Sequence, residues 1–326
     1  MYNNRTTIMR EESVNPMKQI FIDGSAGTTG LRIYERLAAR KDLQLITLPE
    51  ALRKDPAARK EALNHCDAAF LCLPDAAAME AVTLIENDHV VVLDTSTAHR
   101  TNPDWAYGFP ELGADYAEKI RTAKRIAVPG CHASGFIALV QPLVQAGLLS
   151  ADSCLSCHSI TGYSGGGKTM IAQYESPERD PLLDAPRQYG LTQNHKHLKE
   201  MKAITGLSHA PVFCPIVSDF YSGMVVTVPL FAKDLAAGKT MADVQAVYKA
   251  CYTGPMVTYR EQMDESGFLS GAGLSGKDTM EITVCGNEER MILAARYDNL
   301  GKGASGAAVQ CLNLVLGCDP TTGLER

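Results

Sequence analysis

The sequence predicts an α/β chain in two parts, a doubly wound parallel sheet followed by an α+β domain whose sheet is mostly antiparallel. Three observations carry this reading. Up to residue 96, short apolar strands alternate with helical stretches, as in a parallel sheet covered by helices on both faces. A glycine-rich turn joins the first strand to the first helix. Beyond Ala133 the texture changes to longer strand-like runs broken by isolated helices.

Residues 1–16 are polar and lack periodicity, and are expected to form an extension outside the fold. Residues 18–23 (KQIFID) then read as a short buried strand. Apolar spacing at Leu31, Ile33, Tyr34, Leu37 and Ala38 predicts a helix over 31–40. A strand at 43–48, a helix at 57–64 and a strand at 68–73 follow, the last stopped by Pro74. A helix at 76–86 leads to a strand at 90–93 that ends in Asp94-Thr95-Ser96. In the second part, helices are expected at 136–146, 241–252 and 304–316, and strands at 153–160, 223–228 and 279–284. The last helix is expected to pack back on the first domain. The domain division is therefore 17–132, completed by 300–326, with 133–299 as the second unit.

Composition excludes several classes. The chain has 326 residues, 45% hydrophobic and 21% charged, ordinary values for a two-domain soluble protein. Its 31 basic and 37 acidic residues leave a net charge of −6, which argues against a nucleic-acid protein. No apolar run reaches the roughly 20 residues that span a bilayer, so no membrane partner is expected. Most of the ten cysteines sit in apolar runs such as Phe70-Leu71-Cys72-Leu73, where a free thiol behaves as a small buried hydrophobe. With no signal-peptide pattern before them, a reducing cytoplasm is expected.

The turn after the first strand carries Gly24, Gly27 and Gly30, with Ser25, Thr28 and Thr29 between them. Glycine is needed where backbone turns tightly and approaches a pyrophosphate that rests on a helix N-terminus. The spacing G-x-x-G-x-x-G is less specific than G-x-G-x-x-G, and a plain glycine-rich turn is the alternative. Its strand–turn–helix setting favours a Rossmann-type dinucleotide site. After the second strand, Arg53-Lys54 could take a 2′-phosphate, favouring NADP. Glu50 argues for NAD, and a pair of solvated charges is the remaining reading.

Pro129-Gly130-Cys131 opens a helical stretch. A cysteine at a helix start feels the positive end of the dipole and free amide donors, which favour the reactive thiolate. The same amides could hold an oxyanion. The other nine cysteines read better as structural thiols. Cys154 and Cys157 have redox-pair spacing, but they lie in a strand-like run with no helix following. For a proton-moving partner, adjacent His132 points differently on a helix, whereas His197 and Glu200 are three apart and share a face. A carboxylate there would orient and charge the imidazole. His195 and His197 could instead suggest a metal or be exposed helix residues; no further ligand cluster has metal spacing, so no metal is expected.

Together these pieces resemble the N-acetyl-γ-glutamyl-phosphate reductase family, in its shorter lineage, within the semialdehyde dehydrogenase superfamily. The resemblance runs from Met17 almost to the C-terminus. It is carried by residues 24–30, by Asp94-Thr95-Ser96 with Arg100, by Tyr107-Gly108-Phe109-Pro110-Glu111-Leu112 and by Pro129-Gly130-Cys131. Residues 161–168, His195-Lys196-His197 with Glu200, and Asp298-Asn299-Leu300-Gly301-Lys302-Gly303-Ala304 with Gln310 and Asn313 complete it.

The resemblance implies an NADPH-dependent reduction of an acyl phosphate to a semialdehyde and phosphate, in arginine biosynthesis. It implies Cys131 as the acyl-accepting nucleophile, His197 as the acid–base group, and Glu200 supporting His197 or touching substrate. Ser164 and Gly165 would line the site, Arg100 would meet the substrate's anionic groups, and Asn299 would lie by the nicotinamide. Pro74 and Ser96 would border the cofactor beside the glycine turn. The second unit would be the catalytic and oligomerisation domain of a homo-oligomer, a dimer or tetramer. Two departures stand out. Tyr221-Ser222-Gly223-Met224 occupies a place where the family pattern has an arginine, and Lys168 stands where arginine is frequent. The alternatives are a reductase of aspartyl or aminoadipyl phosphate, sharing the chemistry, and a non-catalytic nucleotide-binding regulator with no need of a reactive thiol.

Overall fold

A computed structural model describes residues 17–326. The extension expected at residues 1–16 lies outside the described residues. The first sheet takes β1 (Lys18–Asp23), then α1 (Thr28–Ala38), β2 (Leu43–Ile46), α2 (Pro56–His65), β3 (Ala68–Leu71), α3 (Asp75–Thr83) and β4 (Val91–Asp94). Two short strands, β5 (Ala106–Tyr107) and β6 (Arg125–Ala127), flank α4 (Ala114–Thr122) and complete it. All six strands run parallel, in the order β2-β1-β3-β4-β6-β5.

The winding follows from the two-residue period of a strand. In β1, Ile20 and Ile22 face one core with Ile33 and Leu37 of α1; Phe21 faces another with Leu63 of α2 and Ala78 of α3. β3 divides likewise, Phe70 to the first core and Leu71 to the second. Because both faces are covered, these strands read as apolar runs without alternation. The chain turns left to β2 and then right to β3, so the crevice beyond the carboxyl ends of β1 and β3 is the switch point where such sheets bind ligands.

The second unit begins with α5 (Cys131–Gln145) and continues through β7 (Ser156–Gly162), α6 (Gly167–Glu175), β8 (Arg187–Gln188), α7 (His197–Thr205), β9 (Val212–Ser218) and β10 (Met224–Phe231). It closes with α8 (Met241–Cys251), β11 (Val257–Tyr259), β12 (Met280–Gly286) and β13 (Arg290–Tyr297). The sheet order is β11-β12-β13-β10-β7-β9-β8. Pairs β12–β13, β13–β10, β10–β7 and β9–β8 are antiparallel, while β11–β12 and β7–β9 are parallel, so the sheet is mixed and mostly antiparallel as expected. One face packs on α5, α7 and α8 through Met224, Val226, Leu293 and Phe136. The other face leaves Ile160, Phe231 and Ile292 largely exposed.

The final helix α9 (Gly306–Val315) returns to the first sheet, where Ala308, Val309 and Leu312 join Ile20 and Phe70 in one core. A π-helical turn over Gly301–Ser305 precedes it. The helix start expected at Pro129-Gly130-Cys131 and the helical stretch expected at 136–146 form one element, Cys131–Gln145, buried over residues 132–143. One boundary needs correction. The strand expected from residue 153 starts at Ser156, since its pairing with β9 begins only there.

Candidate active site

A cavity of about 440 Å³ opens where the carboxyl ends of β1, β3, β4 and β6 meet the second unit. The glycine turn forms its floor on one side. Gly24 adopts φ +84, and a β-carbon there would strike the Cys72 carbonyl; one on Gly30 would strike the Gly24 carbonyl. These two glycines permit the tight turn and the close packing of α1, while Gly27, Thr28, Thr29 and Gly30 line the cavity. Gly24 and Ser25, expected at the cofactor, do not line it. The start of α1 has no capping side chain and no acidic residue in its first turn. Its unsatisfied amides therefore face the cavity with partial positive charge, the condition for holding a pyrophosphate. Pro74 and Ser96 border the same space. Arg53 is exposed and reaches the Leu48 carbonyl at 3.4 Å.

Cys131 is the first residue of α5 and lines the cavity. The Tyr297 hydroxyl donates to the Cys131 carbonyl oxygen at 2.5 Å and accepts from the Gly135 amide at 2.9 Å, standing inside what would be a helical hydrogen bond. Gly135 must be glycine, since a β-carbon would lie 2.6 Å from that hydroxyl. The sulfur departs from the expectation of a depressed pKa. Burial raises it above the ordinary thiol value, outweighing the opposing Arg100 charge, the His132 amide and Lys196. The thiol is therefore protonated at neutral pH.

His197 opens α7, and its Nε2 lies beside Gly130. Burial, then the charges of Arg100 and its neighbours, hold its pKa well below the ordinary histidine value, so the imidazole is neutral. Its Nδ1 is buried with no hydrogen-bond partner. Glu200 does not orient it, which corrects the helix-face expectation. Glu200 Oε1 accepts from the Tyr107 hydroxyl at 2.7 Å and the Gly130 amide at 2.9 Å, and Oε2 accepts from Arg100 Nη1 at 3.0 Å. Glu200 thus lies behind the cavity wall, fastening α7 to the turn before Cys131. Arg100 lines the cavity but is heavily committed, donating also to the Val128 carbonyl at 2.8 Å and the Thr95 carbonyl at 2.9 Å.

On the far wall, Asn299 donates to Ser164 Oγ at 3.0 Å and accepts from the Gly223 amide at 2.8 Å; Ser164, Gly165 and Asn299 all line the cavity. Ser222, standing where an arginine was expected, donates to Asp298 at 2.9 Å and does not line the cavity. Lys168 is exposed. The conspicuous Lys302, Glu111 and Gln310 form a buried triangle instead of touching the cavity. Lys302 Nζ donates to Glu111 at 2.8 Å and Gln310 at 2.5 Å, and Gln310 donates to Glu111 at 2.7 Å.

Sequence reasoning missed a chain of contacts beside Cys131. His132 contacts Ser159 Oγ through Nδ1 at 2.6 Å and the Tyr189 hydroxyl through Nε2 at 2.7 Å. Burial pushes the His132 pKa down to about 3 and raises that of Tyr189, so both are neutral. Tyr189, His132 and His195 line the cavity. No local pattern signals this contact, which joins α5, β7 and the segment after β8. All ten cysteines are free thiols, Cys154 exposed and Cys157 buried, in line with the reading that set their redox-pair spacing aside. Among the described residues, no cluster of three or more His, Cys, Asp or Glu is arranged to hold a metal, and no helix is long and apolar enough to cross a membrane.

The chain matches two family profiles, the semialdehyde dehydrogenase NAD binding domain over residues 19–123 and the semialdehyde dehydrogenase dimerisation domain over residues 131–299. It is 47% identical over 305 residues to the N-acetyl-gamma-glutamyl-phosphate reductase of Sinorhizobium medicae, covering 91% of this chain and 98% of that protein. The protein of the same name from Burkholderia cenocepacia is 46% identical, with 91% and 97% covered. Among solved structures, aspartate semialdehyde dehydrogenase II of Vibrio cholerae superposes with a TM-score of 0.69 at 15% identity, covering 93% of this chain and 99% of that one. Aspartate semialdehyde dehydrogenase from Candida albicans, solved with NADP, gives 0.61 at 14% identity, with 93% and 99% covered. At these identities the solved structures speak for the fold.

Proposed function

From the premise that the chain belongs to the semialdehyde dehydrogenase family, within its N-acetyl-γ-glutamyl-phosphate reductase branch, we propose how its cavity performs that branch's reaction. The chain reduces N-acetyl-γ-glutamyl phosphate to the semialdehyde and phosphate. Relatives sharing nearly half its sequence over nine-tenths of its length carry that assignment over aspartyl or aminoadipyl phosphate. The reaction's place is arginine biosynthesis, in the cytoplasm, a setting that ten free thiols suit.

The observation that carries the mechanism is Cys131 at a helix start, with neutral His197 across Gly130. Cys131 gives up its proton as substrate enters, with His197 the acceptor. The substrate's negative charge favours an imidazolium there. The sulfur attacks the acyl carbon, the carbon–oxygen bond to phosphate breaks, and phosphate leaves with the electron pair, giving a thioester. NADPH, when bound, supplies a hydride to that carbon. The resulting oxyanion re-forms a carbonyl as the carbon–sulfur bond breaks with its electron pair on sulfur, the aldehyde departs, and His197 returns its proton to the Cys131 sulfur. Amides at the start of α5 are suited to the developing oxyanion.

The residues fit the cofactor. The uncapped start of α1 suits the pyrophosphate through Gly27, Thr28, Thr29 and Gly30, and Gly24 and Ser25 shape that turn. Pro74 and Ser96 would border the dinucleotide, and Gly165 and Asn299 the nicotinamide end, near Ser164 and the substrate. Arg53 and Lys54 beyond β2 favour NADP over NAD. Residues 17–132 with 300–326 then serve as the NADP-binding domain and 133–299 as the catalytic and oligomerisation domain. A second copy would cover the open sheet face bearing Ile160, Phe231 and Ile292, 40%, 53% and 46% exposed, within the stretch that matches a dimerisation profile. The assembly is a dimer or tetramer.

The test is reduction of NADP⁺ and NAD⁺ with N-acetylglutamate semialdehyde, with and without phosphate. Phosphate-dependent turnover at least about tenfold better with NADP⁺ is expected. Turnover only with aspartate semialdehyde, or none that needs phosphate, would overturn the reading.

A further inference from the structure

The phosphate released in the proposed reaction carries close to two negative charges, and it leaves the very carbon that the Cys131 sulfur attacks. A cation is needed beside that sulfur. Among the described residues, two cationic side chains line the cavity, Arg100 and Lys196. Arg100 is buried, with Glu200 as its counter-charge and the Val128 and Thr95 carbonyls as further partners. Among the described residues the Lys196 ammonium forms no salt bridge and no hydrogen bond; the carboxylate that feels its charge, Asp75, lines the same cavity and is held by Thr97. It directly precedes α7, so the helix that holds His197 also fixes its backbone. Its side chain is exposed at the cavity mouth, and its charge is felt by Cys131, His132, His195 and His197.

We propose that Lys196 is the phosphate-binding residue of this cavity, its ammonium meeting the phosphoryl oxygens of the acyl phosphate and, in the reverse direction, inorganic phosphate. The proposal rests on the acyl-phosphate reading above. An ammonium acts as a mobile point charge on a flexible stem, suited to a group that must depart. The substrate's other anionic group, its α-carboxylate, sits at the far end of the carbon chain from the attacked carbon, whereas Lys196 shares the cavity wall with Cys131 and its charge reaches that sulfur.

The test is made in the oxidative direction, with wild type first shown to need phosphate; its failure there would strike the reaction assignment, before Lys196 is at issue. In Lys196→Met the KM for phosphate should rise about tenfold or more, while the KM values for NADP⁺ and semialdehyde stay within about twofold. Lys196→Arg should restore most of the phosphate affinity. Independently of turnover, inorganic phosphate should slow alkylation of Cys131 in wild type and lose that effect in Lys196→Met, compared as the ratio of rates with and without phosphate. A phosphate KM unchanged in a folded Lys196→Met, or a rise confined to the semialdehyde KM, overturns the proposal. Undiminished phosphate protection of Cys131 in that variant does the same.

Discussion

The Nε2 of His197 stands 2.5 Å from the place a β-carbon on Gly130 would occupy, with Arg100 Nη1 closer still. Gly130 also donates its amide to Glu200. One residue without a side chain therefore sets the spacing of the His197 imidazole, the Arg100 guanidinium and Cys131. Gly130→Ala should displace both side chains and lower kcat/KM about a hundredfold or more, as misplacements of about 1 Å in an assembled site do. Steady-state kinetics on a variant shown to be folded by circular dichroism decides it; a loss under threefold would contradict this role.

Cys131 carries a raised pKa because burial outweighs its positive neighbours. Its alkylation by iodoacetamide should be slow at neutral pH and still climbing at pH 9.0, the ordinary thiol value. Cys131→Ser should lose all turnover and retain NADPH binding. A reactivity plateau below pH 8 would show a thiolate already formed, against the direction given by burial.

His132 is held neutral, its pKa depressed from 6.5 to about 3. The unfolded chain takes up a proton below 6.5 that the folded chain refuses. Stability present above that value is lost as pH falls from 6.5 toward 3. His197 adds to the same trend, since its pKa is also lowered. Urea midpoints should fall from pH 7 to pH 5. In His132→Gln the fall should be shallower by up to about 1.4 kcal/mol per pH unit. Parallel slopes for the two proteins would remove His132 as a contributor.

Lys302 sits fully buried between Glu111 and Gln310, with its ammonium 4.8 Å from the Phe109 ring centroid. This triangle ties the turn before α9 to the segment after β5. Lys302→Met strands the Glu111 carboxylate and should cost about 3–5 kcal/mol in chemical unfolding. The double variant with Glu111→Gln should recover part of that loss. Equal stability of Lys302→Met and wild type would mean that the ion pair contributes nothing to the fold.

Much of this architecture is legible in the order of residues because it depends on short-range rules. Strands such as KQIFID, buried on both faces, must be apolar throughout, and the turn at Gly24 must accept a positive φ. The Cys131 helix start follows from Pro129-Gly130 and the small residues after it. Less visible were β9 and β13. β9 carries Pro215 within its run, and β13 begins and nearly ends with arginine, so neither shows a simple apolar alternation.

The amino-acid order by itself determined the parallel first sheet with helices on both faces, the glycine turn after its first strand and the helix start at Cys131, since each follows from local periodicity or a local turn. Tertiary structure alone decided what the side chains around Cys131 are paired with. Glu200 looked like the partner of His197 from its position on a helix face, yet its oxygens go to Tyr107, Gly130 and Arg100, residues 93, 70 and 100 positions away. The Ser159–His132–Tyr189 contacts and the raised Cys131 pKa are of the same kind. Desolvation and hydrogen bonding depend on which distant segments close over a group, and no spacing along the chain encodes that closure.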